Sequence, residues 1–72
     1  MPKFPSLKPK EVERVLEKAG FVFMRQNGSH KIYLKNKIGI TLPWHNIDMR
    51  IGTIKAIVKQ SGLTAQEFLE LI

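Results

Sequence analysis

With 72 residues, the chain is long enough for one small domain, so residues 1–72 are expected to share a single core. The 43% hydrophobic content excludes a disordered tail, the absence of cysteine excludes a disulfide scaffold, and no apolar run reaches the ~20 residues of a membrane span. Twelve Lys and Arg against six Asp and Glu leave a formal charge of +6, which points to a polyanionic partner, nucleic acid first.

In chain order, a short Pro-containing arm leads to Pro9, well suited to the first turn of a helix. Val12, Val15, Leu16 and Ala19 follow at helical spacing as one apolar stripe, and Gly20 supplies a left-handed cap. Phe21-Val22-Phe23-Met24 and Ile32-Tyr33-Leu34 carry the aromatic and branched residues of strands, predicting strand one at about 21–26 and strand two at about 29–35. Between them Asn27-Gly28 is the preferred pair for a tight two-residue turn. A turn around Asn36-Lys37 precedes strand three, Ile38 to Leu42, closed by Pro43. After a loop carrying Trp44, His45 and Asn46, a second helix is expected from about Ile51 to Ser61, with Ile51, Ile54, Ile57 and Val58 as its stripe and Gly62 as its cap. Thr64 and Glu67 form a capping box, with Leu63 and Phe68 as its hydrophobic staple, for a last short helix.

The order is α-β-β-β-α with a short C-terminal helix, an α+β fold in which both main helices cover one face of a three-stranded antiparallel sheet. A turn centred on Asn27-Gly28 pairs Arg25 with His30, Phe23 with Ile32 and Phe21 with Leu34, and a three-residue second loop pairs Ile32 with Ile40. That register makes Phe21, Phe23, Ile32, Leu34, Ile40 and Leu42 the core face, sets His30 at its end, and turns Lys31 and Tyr33 to the open face.

Antiparallel order brings the start of strand two beside the end of strand three, so His30 lies near Pro43-Trp44-His45, with Arg25 across the hairpin and Arg50 at the start of the second helix. Imidazole, guanidinium and indole around one rim can hold a phosphodiester, stack a base and move a proton. Residues 18–59 add Lys18, Lys31, Lys35, Lys37, Lys55 and Lys59, a local balance of +7 against Asp48 alone. Taken singly, each residue also has a plain structural reading: His30 as a hydrogen-bonded rim residue, His45 as a loop or helix cap, Trp44 as an interface anchor, and Gly28 and Ser29 as turn formers. Two His with no Cys and few acids make a poor metal site, and no metal or other cofactor is assigned. The missing cysteines, and an N-terminus without a signal-peptide core, suggest a cytoplasmic protein without membrane attachment.

At these residues the chain resembles the HicA family of bacterial mRNA interferase toxins, along nearly its whole length. Ala19-Gly20-Phe21 resembles the family's helix-to-strand junction, Gly28-Ser29-His30 its catalytic "GSH", and Leu42-Pro43-Trp44-His45 its "VPxH". Gly52-Thr53-Ile54, Ile57, Gln60, Gly62 and Leu63 resemble its second-helix pattern, and Lys31 stands where some members carry a second His. The resemblance implies a double-stranded-RNA-binding-like fold and an endoribonuclease that cleaves mRNA, inhibits translation and is neutralised by a HicB-type antitoxin. The family histidine carries over to His30 alone.

RNA carries its own nucleophile, so an imidazole with an ordinary pKa near 6.5 can take the 2′-OH proton at neutral pH without a metal. His30 is therefore the expected acid or base, with His45, Ser29 and Gly28 as possible catalytic or positioning residues. Arg25, Lys31, Lys35, Lys37, Arg50 and Trp44 are the expected RNA contacts. The competing reading is a non-catalytic RNA-binding module of the same fold, which would read A-form shape through phosphate and 2′-OH contacts.

Overall fold

The computed structural model describes residues 4–44 and 48–72. Among them the elements run α1 (Pro9–Lys18), β1 (Val22–Asn27), β2 (His30–Lys35), β3 (Ile38–Pro43), α2 (Ile51–Ser61) and α3 (Ala65–Glu70). The strands form one antiparallel sheet in the order β1-β2-β3, giving the expected α+β architecture. No helix among the described residues is long and apolar enough to cross a membrane.

Local chemistry sets the helix ends. Pro9 opens α1, and the Lys8 N–H donates to the Glu11 carboxylate at 3.1 Å, which satisfies one of the free amides of the first turn. At the other end Gly20 has φ +100°, its N–H donates to the Glu17 carbonyl, and the Phe21 N–H reaches back to the Leu16 carbonyl at 2.9 Å. This is a Schellman motif, and the buried Leu16 and Phe21 supply its apolar contact. Gly62 closes α2 in the left-handed region. Thr64 accepts from the Glu67 N–H at 3.1 Å while the Thr64 N–H donates to the Glu67 carboxylate at 2.9 Å, the predicted capping box.

The helices cover one face of the sheet. Val12, Val15 and Leu16 of α1, Ile54, Ile57 and Val58 of α2, and Phe68 of α3 enclose Phe21, Tyr33, Ile40 and Leu42. The N-terminal arm joins this core as well. Leu7 is fully buried, its carbonyl accepts from the Met49 N–H at 2.7 Å, and Phe4 packs edge-on against Phe68 at 5.8 Å.

The sheet register corrects the sequence-based one. Asn27 pairs with His30, so the turn residues are Gly28-Ser29, with Gly28 alone at positive φ (+61°) as a II′ turn requires. A bulge between Phe23 and Arg25 then shifts the upper part of β1, pairing Phe23 with Tyr33 and Val22 with Leu34. The second loop has two residues, Asn36-Lys37, and pairs Tyr33 with Ile40 and His30 with Pro43. Each shift turns alternate side chains over. Tyr33 and Lys31 accordingly belong to the helix-covered face, where Tyr33 is completely buried, while Leu34 and Phe23 are exposed and Ile32 is half-buried. Ile51, at the first position of α2, is also exposed and leaves the predicted stripe.

Candidate functional site

Successive residues of β2 address opposite worlds. His30, Ile32 and Leu34 face the open side, whereas Lys31, Tyr33 and Lys35 reach α1. His30 opens the strand and is exposed. Its backbone neighbours across the sheet are Asn27 and Pro43, and the next pair along the same face joins Ile32 to Arg25 and Thr41. Arg25 is therefore a diagonal neighbour of His30 on the same surface, one pair further along than the expected direct opposition. It is exposed, as are Gly28, Ser29, Lys37 and Arg50, the last as the N-cap residue of α2. His45 lies outside the described residues.

The covered face holds a polar cluster that the sequence did not reveal. Lys31 Nζ pairs with the Glu13 carboxylate at 3.2 Å, and the Tyr33 hydroxyl donates to the same carboxylate oxygen. Burial pushes the Tyr33 phenol above its usual range, and the hydrogen bond to Glu13 and its negative charge push it further. The Lys31 ammonium also sits 3.5 Å from the centroid of the Trp44 ring and 5.6 Å from that of Phe23. Lys35 Nζ donates to the Ala19 carbonyl at 2.6 Å, where a cation at the α1 C-terminus complements the helix dipole. Two of the lysines expected to hold RNA thus have protein partners. The available signal was the period-two series Lys31, Tyr33, Lys35, long side chains with polar tips, set against Glu13 and the end of α1.

The β1–β2 turn and the end of β3 are joined by one further bond, from the Trp44 N–H to the Ser29 carbonyl at 2.6 Å. It extends the β2–β3 ladder past His30. The rim therefore consists of a two-residue turn, an exposed imidazole, a guanidinium on the same face, and an indole anchored beneath it.

No curated protein matches the sequence. The pattern described as the HicA toxin of bacterial toxin-antitoxin systems matches residues 9–63, from the first residue of α1 to just beyond α2. That span contains the whole sheet, the Gly28-Ser29-His30 turn and the Glu13 cluster, and the chain belongs to the HicA family of toxin–antitoxin toxins.

Proposed function

We propose that the protein is an endoribonuclease that cleaves mRNA and thereby inhibits translation, with His30 as the acid or base, and that a HicB-type antitoxin neutralises it. The observation that carries this reading is the position of His30: exposed, at the start of a strand rigidly paired on both sides, on one face with Arg25, in a chain of the HicA toxin family. An imidazole there accepts the 2′-OH proton as the oxygen attacks the adjacent phosphorus and the P–O5′ bond breaks, the departing 5′-oxygen taking up a proton. The guanidinium of Arg25 stabilises the charge that develops on the phosphoryl oxygens. His45 is the candidate second proton carrier. Phosphate binding falls chiefly to Arg25, Lys37 and Arg50, whose side chains are exposed, and less to Lys31 and Lys35, which are engaged with Glu13 and Ala19.

The test is incubation of purified protein with long mRNA, with and without EDTA, alongside His30→Ala. Cleavage by the wild type is expected to survive EDTA. His30→Ala is expected to lower the rate roughly a hundred- to ten-thousand-fold and to abolish growth arrest, with the melting temperature little changed because the side chain is exposed. A folded His30→Ala variant that still cleaves overturns the mechanism. RNA binding without cleavage by the wild type favours the non-catalytic module instead.

A further inference from the structure

Both chain neighbours of His30 hold the same residue, Trp44, one through its backbone and the other through its ring. The Ser29 carbonyl accepts the Trp44 backbone N–H at 2.6 Å, and Lys31 places its ammonium 3.5 Å from the Trp44 ring centroid. Lys31 is in turn fixed by Glu13 on α1, whose carboxylate also receives the Tyr33 hydroxyl. The Lys31 and Glu13 side chains are only about one-fifth exposed (19% and 22%), so water screens this pair less than it would a surface pair. Glu13 thus accepts from two residues of β2 two positions apart, and these contacts tie the strand on the C-terminal side of His30 to α1.

We infer that Glu13, Lys31 and Tyr33 form a positioning device that clamps Trp44 and thereby fixes the backbone of residues 29–31, and with it the direction of the His30 side chain. The inference rests on the reading of His30 above and adds to it residues that never touch RNA: Glu13 and Tyr33 lie on the far side of the sheet from the imidazole. A backbone bond from Trp44 on one side of His30 and a cation–ring contact to its indole on the other leave the strand little freedom to twist. Lys31 acts here as a strut between helix and indole.

The experiment compares the wild type with Glu13→Ala, Lys31→Met and the conservative Lys31→Arg, each first shown to melt cooperatively. Trp44 is the only Trp, so its emission and acrylamide quenching report the clamp directly, and the Ser29 and His30 amide resonances report the backbone. Glu13→Ala and Lys31→Met are expected to raise Trp44 quenching about twofold and to shift both amide resonances. They are expected to lower kcat on RNA roughly ten- to a hundredfold with KM nearly constant, the usual effect of misplacing a catalytic group. Lys31→Arg keeps the ion pair and the ring contact and is expected to restore all three readouts. If Glu13→Ala does not fold, Lys31→Met decides, since it removes the strut and leaves its apolar stem. Folded variants with unchanged Trp44 quenching and unchanged His30 resonances overturn the inference, as does an unchanged kcat. A wild type that does not cleave RNA would defeat the reading of His30, while the Trp44 and amide readouts would still decide whether the clamp exists.

Discussion

Tyr33 shows how much a single side chain can decide in a core this small. Its ring is completely buried between the sheet and α1, edge-on to Phe23 at 5.8 Å, and its hydroxyl is spent on Glu13. In the unfolded chain the phenol loses its proton near pH 10, whereas in the folded protein burial and the Glu13 carboxylate hold the proton to higher pH. A folded-state pKa raised in this way contributes stability that is fully present below about pH 10 and is lost as pH rises through the folded value. Tyr33 is the only Tyr, so tyrosinate absorbance reads it without interference. The folded protein is expected to show no tyrosinate at pH values where a free phenol is half ionised, and Tm is expected to fall above about pH 10 more steeply in the wild type than in Tyr33→Phe. An ordinary tyrosinate midpoint in the folded protein would contradict the buried bond. Tyr33→Phe itself is expected to cost about 1.5–3 kcal/mol at neutral pH, the worth of a hydrogen bond to a charged acceptor.

Among the elements, the N-terminal arm contributes more than its lack of regular structure suggests. Leu7 is 1% exposed and its carbonyl is tied to Met49, just before α2, so the arm links the start of α1 to the start of the second helix. Leu7→Ala is expected to cost about 2–5 kcal/mol, the range for truncating a buried Leu, and to appear as a lower urea midpoint. A loss within about 0.5 kcal/mol would mean that the arm is not docked in solution. The arm was not legible in the sequence because one Leu among Pro, Lys and Ser has no periodicity to display. The element order, by contrast, was readable throughout, since Pro9, Gly20, Gly62 and the Thr64–Glu67 pair are local signals acting within a few residues. Which face of β2 is buried depended on a register that a one-residue slip inverts. Residues 21–24 and 32–34 are apolar at every position, so no alternation opposed the wrong choice, and Asn27-Gly28 and Gly28-Ser29 are both acceptable turns. The candidate site divides in the same way. His30 was found because its signal is a contiguous tripeptide, whereas the Glu13–Lys31–Tyr33–Trp44 cluster is assembled from three separate segments and exists only in the fold.

At the scale of the whole molecule, charge and size act together. Lys31 and Lys35 are engaged within the protein, whereas Arg25 is exposed on the same open face of the sheet as His30. RNA affinity is expected to fall with salt at a log–log slope of about −0.7 per phosphate neutralised on a single strand. Arg25→Gln should flatten that slope by about one such contact, and Lys31→Met by clearly less, because its charge is already met by Glu13. Equal effects from the two variants would show that Lys31 leaves Glu13 to reach RNA. The same open face defines what an antitoxin must do. A HicB-type partner that inhibits by occlusion has to bring acidic groups to Arg25 and cover His30, and Trp44, half-buried beside the turn, is the natural apolar anchor for such a contact. A domain of this size draws little stability from its own core, and a partner present at a hundred times its Kd adds about 2.7 kcal/mol by mass action. For a chain this short that corresponds to a rise in Tm on the order of 10–20 °C. Co-expression with the neighbouring reading frame, followed by thermal melting of the purified complex and an RNA-cleavage assay, measures both consequences at once. Stabilisation together with loss of cleavage is the expected result. A complex that melts higher yet still cleaves RNA would place the partner on another face and exclude inhibition by covering His30.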